Sequence, residues 1–252
     1  MKPIGDQGNG SRFFAAMAQP KVWGGSQQSM SLGQRVWFGF SWVALGVFLA
    51  GLNRLKIVGA EHVPPGGGVL LAANHLSIID TLLIPWVNMA KVRSEVVWAP
   101  AKAELFAIPI INHIIASWGA FPVQRGGSDV RAMRRLVELM QRDKVMLFPE
   151  GTRSVDGRLG RGNRTVGKLI YMARPTVIPT AILGTDRLLA KGCTLPRLFS
   201  TLEVRFGAPL ELECYYTAEY TKATAEAITF CVMRSIAHLR GEEAKWLKRF
   251  SV

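Results

Sequence analysis

The segment Asn74-His75-Leu76-Ser77-Ile78-Ile79-Asp80 follows the apolar run 69–73. A histidine and a carboxylate therefore sit where a strand gives way to a helix, the place where α/β sheets put their sites. Five positions along a helix turn the chain by about 500°, so His75 and Asp80 cannot share a helical face. They meet only with His75 in the turn and Asp80 in the first helical turn. The carboxylate can then accept a bond from one ring nitrogen and leave the other basic, making His75 a candidate general base. The same residues allow a reading without catalysis, because Ser77-x-x-Asp80 is also a capping box.

A second constellation, Phe148-Pro149-Glu150-Gly151-Thr152-Arg153-Ser154, closes another apolar strand and opens a glycine-rich loop that runs through Gly162. Arg153 could fork two bonds to a phosphate and Glu150 could accept from a substrate hydroxyl. A surface turn held by a Glu/Arg ion pair is the alternative. A third short strand, Gly119-Ala120-Phe121-Pro122-Val123-Gln124-Arg125, ends on a base, and Lys102 precedes an apolar stretch, 105–118. From Arg125 to Lys168 there are eleven Lys or Arg and five Asp or Glu, a local net charge of +6 that calls for an anionic partner. Arg131, Arg134 and Arg135 read instead as a solvated helix face.

Positioning these residues requires strands that end together. Strand candidates fall at 55–58, 69–73, 95–98, 120–123, 145–148, 176–182 and 202–206, with helices at 79–90, 103–116, 129–141, 165–173 and 218–239. The alternation predicts one α/β domain over 54–252, a mixed sheet covered by helices. Ahead of it, residues 1–34 read as a flexible polar and basic tail. Residues 35–53 hold the seventeen-residue uncharged apolar run 36–52, with Arg35 before it and Arg54 just after Asn53. A helix of that length is only ~25 Å long, at the lower limit for spanning a bilayer, so a monotopic anchor and a span are both open. Trp37, Phe40 and Trp42 suit the headgroup boundary. A buried core helix is the competing reading.

The whole chain of 252 residues carries 31 Lys and Arg against 18 Asp and Glu, a net of +13, which favours lipid headgroups or phosphorylated substrates. Nucleic acid also fits the charge, but no aromatic-rich recognition run accompanies it. Cys193, Cys214 and Cys231 form no CxxC pair and have no metal-ligand spacing with the four histidines, so no metal is expected and a reducing compartment is.

Together four blocks resemble the 1-acyl-glycerol-3-phosphate acyltransferase family of glycerolipid acyltransferases: NHLSIID (74–80), KAELFAIPIINHIIASWGAFPVQR (102–125), FPEGTRS (148–154) and the Pro-containing TVIPTAILGT (176–185). The resemblance implies that His75, oriented by Asp80, activates an acceptor hydroxyl for direct attack on an acyl thioester without a covalent acyl-enzyme. It implies that Arg125, Glu150, Gly151, Thr152, Arg153 and Lys102 bind the acceptor and that Pro179 shapes the acyl side. The implied donor is acyl-CoA or acyl carrier protein, a substrate rather than a cofactor, and no cofactor is expected. The implied acceptor is lysophosphatidic acid, giving phosphatidic acid. Glycerol 3-phosphate, another lysophospholipid or a lyso-ornithine lipid are alternatives, as is an inactive membrane-binding homologue. Placement on membrane lipids at the cytoplasmic face of the inner or plasma membrane is expected. Where the family often has a Phe-Lys-Lys-Gly-like run, this chain has Gly160-Arg161-Gly162-Asn163-Arg164, which bears on acceptor identity.

Overall fold

A computed structural model describes residues 32–92, 96–123 and 130–250. The run Val69–Ala73 (β2) is buried at all five positions, as a strand covered on both faces must be. It lies at the middle of a seven-stranded sheet with Arg54–Val58 (β1), Val97–Lys102 (β3), Ala120–Val123 (β4), Lys144–Leu147 (β5), Thr176–Leu183 (β6) and Thr201–Phe206 (β7), in the order β1-β7-β6-β2-β5-β3-β4. All pairings are parallel except β6 with β7, so the sheet is mixed, as expected.

Alternate residues of β2 feed two cores, as the two-residue strand period requires. Leu70 and Ala72 pack with Val130–Arg142 (α4), Arg164–Ala173 (α5), Lys222–Leu239 (α8) and Glu243–Phe250 (α9) on one face. Val69, Leu71 and Ala73 pack on the other with Leu32–Gly46 (α1), Asp80–Val87 (α2) and Trp118, which follows Pro109–Ser117 (α3). Short helices Thr185–Leu188 (α6) and Glu213–Tyr216 (α7) complete the fold. The chain leaves β2 toward the α2 face and β5 toward the α5 face. Between these neighbours lies a switch point, where α/β sheets open a crevice at the strand C-termini.

The apolar N-terminal segment is a helix, α1, continued by a π-type turn over Val47–Gly51 and closed by Asn53, whose Nδ2 donates to the Phe48 carbonyl at 2.6 Å. Its two faces differ. The inner face is core: Leu49 is fully buried, Trp42 stacks on Trp86 with ring centroids 5.7 Å apart, and Trp37 Nε1 donates to Ser117 Oγ at 3.2 Å. Trp37 and Trp42 thus face the domain rather than a headgroup layer, because each indole N–H or ring finds a protein partner there. Leu32, Val36, Phe40, Val43 and Val47, spaced by three or four, form an exposed outer stripe. Among the described residues no helix is long and apolar enough to cross a membrane.

Candidate active site

The ends of β2 and β5 bring the two sequence constellations together. His75 Nδ1 lies 3.0 Å from Asp80 Oδ2, and the same oxygen accepts the backbone N–H groups of Leu76 and Ser77 at 2.7 Å. Asp80 is fully buried and opens α2, so its carboxylate both caps the turn and holds the imidazole. The capping box is half formed: Asp80 reaches back to Ser77 N–H, while Ser77 Oγ accepts from Ile79 N–H at 3.3 Å and donates to the Leu189 carbonyl at 2.6 Å. Ser77 is fully buried and spent on this bond, and the two readings of the motif coexist.

The ring of His75 is fixed from a second direction. Phe148 stacks on it with centroids 3.9 Å apart and planes within 9°. With Nδ1–H donated to Asp80, Nε2 carries the lone pair, and 12% of the side chain remains exposed. Upstream, Asn74 locks the strand end through two bonds to Ile182, Nδ2 to its carbonyl at 2.9 Å and Oδ1 from its N–H at 2.7 Å.

The second constellation wraps the first. Gly151 N–H donates to the Phe148 carbonyl at 2.9 Å in a turn that puts Gly151 at φ +68°, a conformation glycine reaches without strain. Ser154 N–H donates to the His75 carbonyl at 2.8 Å. Glu150 Oε1 accepts from His75 N–H at 3.2 Å and Oε2 from Gly160 N–H at 2.9 Å, so this carboxylate staples the His75 turn to the glycine-rich loop. Burial pushes its pKa above the ordinary 4.5, against the opposite pull of those two N–H groups and of the Arg240 charge. Arg153 is half-buried beside this turn, while Gly151 and Thr152 are exposed. A cleft of about 580 Å³ opens on the far side of Glu150, lined by Thr152, Arg161, Asn163, Arg164 and Glu226 among others, and His75 is not in its wall.

Lys102 is exposed at the C-terminal end of β3, on the same rim because β3 runs parallel to β5. Arg125 lies outside the described residues. Pro179 is buried within β6, paired with Ala72 below the strand end; its carbonyl accepts from Gly207 N–H at 2.8 Å, and a side chain at Gly207 would meet its ring at 2.9 Å. It is therefore not on the His75 rim. Of the helix-face arginines, Arg135 is half-buried over Trp98 and Phe121, 5.9 and 5.1 Å from the centroids.

Asn74 and Phe148 lie in the two sequence constellations but had no role assigned there, and the C-terminal supports of the glycine-rich loop went unread. Trp246 Nε1 donates to the Gly160 carbonyl at 2.8 Å, Arg240 Nη2 to Gly157 at 2.6 Å and Arg249 Nη1 to Leu159 at 3.3 Å. Indole-to-carbonyl bonds across 86 residues leave no periodic trace in a sequence.

Comparison with known proteins places these contacts in context. Residues 54–183 match the family model described as Acyltransferase. A chloroplastic 1-acyl-sn-glycerol-3-phosphate acyltransferase of Arabidopsis thaliana is 27% identical over 155 residues, covering 60% of this chain and 41% of that protein. The enzyme of the same name from Bacillus subtilis is 27% identical over 143 residues, 56% of this chain and 68% of the relative. The chain thus spans less than half the length of the Arabidopsis protein. Its fold matches the crystal structure of the 1-acyl-sn-glycerophosphate acyltransferase from Thermotoga maritima, with a TM-score of 0.59, 21% identity and 84% of each chain covered.

Proposed function

Because the chain belongs to the Acyltransferase family, its matched region spanning half of its length, we propose that it transfers a fatty acyl group from a thioester to the hydroxyl of lysophosphatidic acid, giving phosphatidic acid. One observation carries the chemistry. The His75–Asp80 pair, stacked under Phe148 at the sheet's switch point, is oriented to leave Nε2 basic and partly exposed.

In this reading Nε2 takes the proton of the acceptor hydroxyl as its oxygen attacks the thioester carbonyl. Asp80 stabilises the resulting imidazolium. The tetrahedral intermediate collapses by breaking the carbon–sulfur bond, and the leaving thiolate takes up the proton held on Nε2. Ester and free thiol are the products, and no acyl-enzyme forms.

Arg153, with Gly151 and Thr152 in the same turn, receives the acceptor phosphate, and Lys102 and Arg125 add charge on the same side. Glu150 acts chiefly by holding the His75 and Gly160 backbones, as its two bonds indicate. The names of the relatives support lysophosphatidic acid over other acceptors. The proposed limits keep an anchor over 35–53, which α1 extends back to Leu32, ahead of a catalytic domain over 54–252; the rest of the expected tail, 1–31, lies outside the described residues. The exposed stripe of α1 supports a monotopic anchor lying in the interface, and three cysteines outside any disulfide fit the cytoplasmic face.

The test is thiol release by the purified chain from acyl-CoA and from acylated carrier protein, each offered lysophosphatidic acid, glycerol 3-phosphate, lysophosphatidylcholine and a lyso-ornithine lipid. The highest kcat/KM is expected with lysophosphatidic acid. Preference for an acceptor without phosphate would overturn the assignment of Arg153.

A further inference from the structure

The segment between α6 and β7 is a second surface that calls for a partner. Residues 191–199 are exposed at nine consecutive positions. Among them Leu195 is 83% exposed, Phe199 77% and Leu198 41%. Phe199 also holds φ at +61°, the left-handed region, where a residue with a side chain is strained. The surrounding bonds impose it: Phe199 N–H donates to the Leu52 carbonyl at 2.9 Å, and the Ser200 N–H to Asn53 Oδ1 at 2.9 Å. An aromatic ring is thus held in water by a strained, hydrogen-bonded backbone.

The surrounding chemistry identifies the partner. Arg187, Lys191 and Arg197 are exposed and interleave with the apolar residues, and no acid occurs from 187 to 200. Cations beside outward Leu and Phe match an anionic phospholipid surface, with headgroups paired to the bases and apolar side chains in the acyl boundary. A second copy of this chain, equally basic, would set these cations against like charge. The two ends of the segment say where such contact would lie. One end is tied to Leu52 and Asn53, where α1 and its exposed stripe finish. The other touches the catalytic rim, since the Leu189 carbonyl accepts from Ser77 Oγ at 2.6 Å and Lys191 Nζ reaches the Arg153 carbonyl at 3.5 Å.

We propose that residues 189–199 form a membrane-seating loop that inserts Leu195, Leu198 and Phe199 into an anionic leaflet beside α1 and so sets the height of the His75 rim above the headgroups. Seated this way, the rim meets a lipid acceptor without the acceptor leaving the bilayer. The binding claim is independent of the reaction proposed above, since it is read without turnover.

Cys193 sits within the loop and is exposed, which supplies the probe. The full chain carrying Cys214→Ser and Cys231→Ser, labelled at Cys193 with an environment-sensitive fluorophore, is mixed with vesicles of phosphatidylglycerol and phosphatidylcholine. A blue shift, and quenching by lipids that carry a nitroxide near the headgroup, are expected. In the unlabelled chain, Leu195→Ser combined with Phe199→Asn should lower vesicle partition about ten-fold. Asparagine tolerates the left-handed backbone, so the thermal midpoint should not fall. A label that stays in water on vesicle-bound protein, no binding to these vesicles, unchanged partition of the double variant, or shielding of the label by self-association without vesicles would each overturn the proposal.

Discussion

Asp80 Oδ2 gathers three hydrogens, from His75 Nδ1 and the N–H groups of Leu76 and Ser77, and this crowding explains why the motif read two ways in the sequence. Spacing alone showed that His75 must precede the helix. It did not show Phe148 against the imidazole, because a stacking partner 73 residues away follows no pattern. Glu150 was legible as a site residue but its task was not, since both of its bonds are to backbone atoms. Its raised pKa means that the folded state keeps the proton to higher pH than the unfolded chain. The stability it contributes is therefore complete below about pH 4.5 and is lost as pH rises through the folded value. Glu150→Gln cannot ionise, so in denaturant titrations the wild type should lose stability relative to this variant as pH rises above 4.5; parallel curves would contradict the burial argument. Arg153→Ala should raise the acceptor KM more than the donor KM. A charge-assisted bond contributes about 1.5–3 kcal/mol, so kcat/KM should fall roughly 10 to 150-fold. A donor-side effect alone would assign Arg153 to the carrier's phosphates instead.

Strands were the most legible elements. The run 69–73 is apolar throughout and 177–182 is buried throughout, with Thr180 its one hydroxyl, because helices cover both faces of the sheet, and turn residues bound them. The helix expected over 103–116 begins later, at Pro109, after a 3-10 turn over Ala103–Ala107, since proline favours the first helical turn. Helix α9 was not foreseen: it is two turns long and only Trp246 is fully inside, too few apolar positions to show a period. Yet it buttresses the glycine-rich loop. Trp246→Ala should cost about 3–5 kcal/mol in urea unfolding through the cavity it leaves. Trp246→Phe keeps most of the apolar contact but removes the bond to Gly160, and should cost about 1–3 kcal/mol. A loss near zero in Trp246→Phe would show that the indole N–H contributes nothing. The N-terminal helix divided the sequence readings because both hold, one on each face. Substituting serine at Val36, Phe40 and Val43 should change stability by about 0.5 kcal/mol or less per site while lowering vesicle partition. Trp42→Ala should unfold the domain more readily, since that ring stacks on Trp86.

At the scale of the whole molecule, the net charge of +13, the outward stripe of α1 and the loop over 189–199 describe one basic and apolar exterior around a polar catalytic rim. Charge announced an anionic partner but could not separate nucleic acid from lipid. The proposed lipid acceptor fits a base-bearing rim beside apolar surface. Because the chain covers only part of its relatives, the reaction itself must be read from this protein. The most direct reading is thiol release from palmitoyl-CoA with lysophosphatidic acid, for the wild type and for His75→Ala, with circular dichroism confirming that both are folded. Loss of about 100 to 10,000-fold in turnover by a folded His75→Ala is expected from the removal of a general base. Near-normal turnover in that variant would contradict the account.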